Sequence, residues 1–103
     1  MDDTRLTHHS KARGKERLGF NKKALKRMAE KAYGIGITRL ETRGAFRRYL
    51  DCLFFGNNQE AGNIRIWGEN VYVFCDLVLV TVFVLPREHR KTAIRIRRRK
   101  DVK

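Results

Sequence analysis

The sequence predicts an α+β domain, with N-terminal helices packed on a three- to four-stranded antiparallel β-meander. Three observations lead there. Apolar residues recur with a helical period as far as about residue 55, and with a period of two from Asn63. Gly- and Asn-rich punctuation separates the two regimes, and the single proline, Pro86, closes the second. At 103 residues with 42% hydrophobic content, the chain fits one compact domain with its own core.

The first helix is predicted at about 8–18. It is short and largely polar, with Leu6, Ala12 and Leu18 as its apolar anchors, Thr7 as a cap and Gly19 as a stop. The second is clearer. Asn21 is a good N-cap, and Leu25, Met28, Ala29, Ala32 and Tyr33 form one apolar face of a helix at about 22–33. Lys22, Lys23, Lys26, Arg27 and Lys31 fall mostly on the other side. Gly34 supplies the stop, and Gly34 to Ile37 reads as a turn. A third helix, about 43–55, gathers Phe46, Leu50, Leu53 and Phe54 on one face before a GNNQEAG loop.

Strands are predicted at about 63–67, 71–75 and 78–85. Asn63 to Trp67 alternates polar and apolar, as a half-buried strand should. With Glu69 and Asn70 as the loop of the first hairpin, Ile66 opposes Val73 and Trp67 opposes Tyr72. Arg65, Trp67, Tyr72 and Phe74 then share one face, and Thr81 points to it as well. Asp76-Leu77 makes the second turn. Val78 to Leu85 is apolar on both sides except at Thr81, which predicts the central strand. The apolar run 71–85 is too short for a membrane span and contains Asp76. Residues 1–86 form the expected domain, and 87–103 a basic tail, or an edge strand over 94–98.

Charge is strongly uneven. The net charge is +13 overall: +9 over residues 1–50, −3 over 51–86 and +7 over 87–103. Single-signed arms around a near-neutral middle are the footprint of a polyanion binder. Nucleic acid is the leading partner, RNA favoured over DNA, and a membrane surface is set aside for want of an amphipathic helix with aromatic anchors. The binding residues expected are Lys11, Lys15, Lys22, Lys23, Lys26, Arg27, Arg47, Arg65, Trp67, Tyr72, Arg95, Arg97, Arg98, Arg99 and Lys100. Trp67 and Tyr72 beside Arg65 would make a stacking platform for unpaired bases, or simply the core under a helix.

No cofactor or metal is expected. His8, His9, His89, Cys52 and Cys75 show no ligand spacing, and the two cysteines read as buried free thiols of a reducing cytoplasm. The first twenty residues contain no apolar signal segment. His9, Arg13 and Arg17 recur at i, i+4 and i+8 along the first helix. A histidine beside two arginines can move a proton and stabilise a charged phosphoryl transition state, or simply contact phosphate from a solvated basic face. These three are catalytic candidates, and Thr81, on the sheet face, joins them as a residue that could touch a phosphate.

The stretch Asn63-Ile64-Arg65-Ile66-Trp67-Gly68, then Val71-Tyr72-Val73-Phe74, Leu79-Val80-Thr81-Val82 and Leu85-Pro86, resembles a family of small phage and prophage proteins. An N-terminal His-Ser element belongs to that pattern, and His9-Ser10 and Arg17 match it. The layout is also similar to the barnase–colicin–RelE-like ribonucleases, metal-independent enzymes that use Arg, Lys, Tyr or His. The chain departs from the barnase type in lacking a recognisable Glu-His pair. The resemblance implies a phage-encoded protein of the bacterial cytoplasm. Taken with the two basic arms, the chain is expected to bind RNA or a host ribonucleoprotein or polymerase complex. The alternative is a metal-independent endoribonuclease acting through a 2′,3′-cyclic phosphate.

Overall fold

The computed structural model describes residues 5–56 and 63–101. The fold is α+β, built on one five-stranded, mostly antiparallel sheet in the order β1-β5-β4-β3-β2. The strands are β1 (Arg5–Leu6), β2 (Ile37–Thr38), β3 (Asn63–Trp67), β4 (Asn70–Cys75) and β5 (Val78–Val84). The helices are α1 (His8–Arg13), continued by a π-helical turn (Gly14–Leu18), then α2 (Lys22–Ile35), α3 (Gly44–Gly56) and α4 (Arg87–Asp101).

Local chemistry accounts for the helix starts. The Thr7 hydroxyl accepts from the Ser10 amide at 3.0 Å, and the Asn21 side chain accepts from the Ala24 amide at 2.8 Å. α2 runs through Gly34 to Ile35, two residues past the expected helix end at Tyr33, and Gly36 ends it. A Cβ at Gly36 would lie 2.4 Å from the Ala32 carbonyl oxygen and 3.0 Å from that of Ile66, so only glycine lets the chain turn there. The expected turn at Gly34–Ile37 is therefore a helix end followed directly by β2, which pairs antiparallel with β3.

The meander stands, with two corrections to its register. Gly68 and Glu69 form the first hairpin loop, and Trp67 pairs with Asn70, Arg65 with Tyr72 and Ile64 with Val73. Gly68, at φ 62°, occupies the first loop position, where a hairpin turn favours a glycine. The shift from the expected register is two residues, so every side chain keeps its face. The second correction moves a face. Val73 pairs with Thr81 but Phe74 with Leu79, which leaves Val80 as a β-bulge. One extra residue flips Thr81 away from Tyr72 to the side of Val73.

Both faces of the sheet are covered. On one, Leu25, Ala29 and Ala32 of α2 pack on Tyr72, Phe74, Leu79 and Val82. On the other, Phe46 and Leu50 of α3 and Ala93 and Ile96 of α4 pack on Ile64, Ile66, Val71 and Val73. Residues 87–101 are thus neither a free tail nor an edge strand: α4 closes the second core. β4, not β5, is the central strand, and β1 pairs with β5 in parallel only along Val78 and Leu79. Cys52 and Cys75 are exposed thiols, contrary to expectation. Among the described residues no helix is long and apolar enough to cross a membrane.

Candidate functional site

α4 turns a different chemistry in each of four directions. Its inner stripe, His89, Ala93 and Ile96, is buried, with His89 stacked on Phe46 at 5.0 Å and tilted against Tyr49 at 5.4 Å. Burial beside this cluster raises the Tyr49 phenol above its ordinary value. Opposite the inner stripe, Arg87, Lys91, Arg95 and Arg98 are exposed at spacings of four, four and three residues. At ~1.5 Å per residue this basic face is about 16 Å long. None of the four side chains makes an ion pair with a described residue, and Ile94, 51% exposed, lies among them.

On one flank of α4 the Arg97 guanidinium lies over the Trp67 ring, 4.2 Å from its centroid. Here Ile35, Ile37, Ile66, Glu69 and Ile94 complete a cleft of about 200 Å³. On the other flank Lys100 bridges back to the rest of the fold. Its Nζ donates to Glu41 at 2.9 Å and to the Gly36 carbonyl at 3.1 Å. Burial alone would raise the Glu41 carboxyl. The Thr38 amide, Lys100 and the Thr38 hydroxyl outweigh it and hold the carboxyl below its ordinary value.

The remaining residues expected at a site fall in several places. Tyr72 is fully buried under α2, and burial raises its phenol against a smaller opposing effect of the Asn70 side chain. Arg65 donates to the Tyr33 carbonyl at 2.9 Å and to Asn63 at 3.2 Å, with its guanidinium over the Tyr33 ring. The expected Arg65–Trp67–Tyr72 platform is therefore core on this side, and only Trp67 keeps a partly exposed ring. Arg47 bonds Asp51, and the Asp51 carboxyl is held below its ordinary value by Arg39 first and Arg47 second. Lys11 is half-buried, while Lys15, Lys22, Lys23, Lys26 and Arg27 are exposed in the layer of α1 and α2, across the sheet from α4.

The four candidate catalytic residues are not brought together. His9 is exposed, and Arg13 pairs with Glu16 at 3.1 Å. The π turn closes on a longer repeat than an α-helix, so it takes Arg17 out of line with the other two. Arg17 instead donates to the Val82 carbonyl at 2.9 Å on the open edge of β5 and lies over Phe83. Thr81 is enclosed on the α3–α4 side, and its hydroxyl has no described partner. Among the described residues no three His, Cys, Asp or Glu side chains cluster as metal ligands would.

The clefts beside α4 and its basic face went unread in the sequence because they exist only once 87–101 is helical. The spacing Arg87, Lys91, Arg95, Arg98 was the available signal. No protein-family model matches the chain, and no curated protein or solved structure is significantly similar to it.

Proposed function

We propose that the protein binds RNA, free or within a ribonucleoprotein, through the outward face of α4. One observation carries the reading: Arg87, Lys91, Arg95 and Arg98 form a straight basic face with no acidic partner among the described residues. Unpaired cations at helical spacing supply the counterion-releasing contacts that dominate affinity for a phosphate backbone. Ile94 within the face and the Arg97–Trp67 pair beside it offer apolar and planar surfaces to sugars and splayed bases, which favours RNA over duplex DNA.

The test is the salt dependence of binding to single-stranded RNA, read by fluorescence anisotropy. Four phosphate contacts on a single strand predict a slope of log K against log salt near about −3. A slope near zero, or no binding at low salt, overturns the proposal. The endoribonuclease alternative requires His9, Arg13, Arg17 and Thr81 around one phosphate, and with Thr81 buried toward the other layer no observation favours it.

A further inference from the structure

A second cleft, of about 440 Å³, opens on the flank of α4 away from Trp67, lined by Glu41, Arg43, Thr92, Ile96, Arg99 and Lys100. We propose that it takes a terminal phosphate of the bound nucleic acid, that is, a phosphomonoester dianion. The proposal rests on the RNA-binding reading of α4 and adds recognition of a strand end.

Charge selects the ligand. Glu41 and Lys100 neutralise each other through their 2.9 Å bridge. That leaves Arg43 and Arg99, whose side chains have no hydrogen-bond or ion-pair partner among the described residues. Two guanidinium groups carry +2 and present paired N–H donors shaped for phosphate oxygens. A phosphomonoester carries about −1.5 to −2 near neutral pH and matches them, whereas a backbone diester carries only one charge. The Thr92 hydroxyl also lacks a described partner and can donate to a phosphate oxygen. Ile96 gives the cleft an apolar wall against which a terminal sugar can rest. The Lys100 bridge has a positioning role: it holds α4 to the turn that carries Glu41, and so fixes the distance between the two arginines.

The experiment uses the full chain and one short single-stranded RNA prepared with a 5′-phosphate, a 3′-phosphate or hydroxyls at both ends. The proposal expects one phosphorylated end to bind about tenfold or more tighter than the hydroxyl form, the worth of a charge-assisted contact. Arg43→Gln and Arg99→Gln should each abolish that gain and leave the affinity for the hydroxyl form within about twofold. Arg43→Gln should leave the thermal midpoint unchanged, and Arg99→Gln should lower it only as far as the loss of one last-turn cation does. Equal affinity for all three ends overturns the proposal. So does a uniform loss in the variants, which would make the arginines backbone contacts. A second arm needs no RNA binding: adenosine 5′-monophosphate should shift the amide resonances of Thr92 and Arg99 while adenosine does not. Those shifts in a protein that binds no RNA would retain the phosphate cleft and discard the reading of the α4 face. Their absence, with no preference among RNA ends, discards the cleft alone.

Discussion

The two basic helices cover opposite faces of the sheet, and they carry their charge against different backgrounds. α2 opens with Lys22 and Lys23 in its first turn, where the helix dipole is already positive, so both lysines oppose the helix they begin. α4 closes with Arg98, Arg99 and Lys100 in its last turn, where cations stabilise the helix end. Helix stability therefore explains part of the charge on α4 and none of the charge at the start of α2. Arg87, Lys91 and Arg95, in the first two-thirds of α4, have no such structural reason either. What separates the helices is what lies beside the charge. α4 is bordered by two clefts and by the Trp67–Arg97 pair, whereas Lys22 and Lys23 line neither of those clefts.

The largest effects should come from undocking either helix. Leu25→Ala under α2 and Ile96→Ala under α4 should each cost about 2–5 kcal/mol in urea denaturation, the range for emptying a buried aliphatic site. A cost at Ile96 below about 1 kcal/mol would return α4 to the status of a loose arm and end the comparison. Next comes capping. Asn21→Ala removes the acceptor for the Ala24 amide and should cost about 1 kcal/mol.

Reversing charge sharpens the contrast further. Lys22→Glu with Lys23→Glu should raise stability, by about 0.3–1 kcal/mol per residue, because the dipole then favours the first turn. Lys91→Glu with Arg95→Glu, in mid-helix, should change stability by less than about 0.5 kcal/mol. The smallest effect belongs to the Lys100–Glu41 bridge, whose loss in Glu41→Gln should cost a few tenths of a kcal/mol, about what a partly exposed pair is worth. Its pH dependence has a definite sign. Glu41 is held below its ordinary value in the folded chain, so its contribution is whole above the usual carboxylate range. That contribution fades as pH falls through the depressed value, and Glu41→Gln should flatten the acid limb of the stability profile.

The ranges of α2 and α3 and of the three meander strands were legible because each is long enough for its period to repeat, and that of α1 with its π turn because Thr7 and Gly19 mark its two ends. β1 and β2 were not: two residues carry no periodicity. α4 was hidden by its composition. Its buried stripe is a histidine, an alanine and one isoleucine, and Ile94-Arg95-Ile96-Arg97 alternates as a strand would. Helical winding sends Ile96 into the core and leaves Ile94 exposed, so the apparent alternation has no structural meaning. The hairpin register slipped by two because a period of two is blind to such a shift, and Gly68 in the turn decided it. Thr81 was misplaced by a single bulged residue, Val80, which no local pattern announces. Of the candidate site, the basic residues were legible as charge. Their division between two layers, and the occupation of Arg17, Arg47 and Arg65 by internal partners, depended on tertiary contacts.

The central claim is that one face of one helix, and not basic charge in general, binds RNA. The two charge-reversed proteins test it directly, because each exchanges two lysines or arginines for two glutamates and both lower the net charge by four. Their affinities for one single-stranded RNA should be measured side by side at a single salt concentration. The account predicts that Lys91→Glu/Arg95→Glu loses about tenfold or more in affinity, while Lys22→Glu/Lys23→Glu loses less than about threefold. Equal losses in the two proteins, or the greater loss at Lys22 and Lys23, would contradict it.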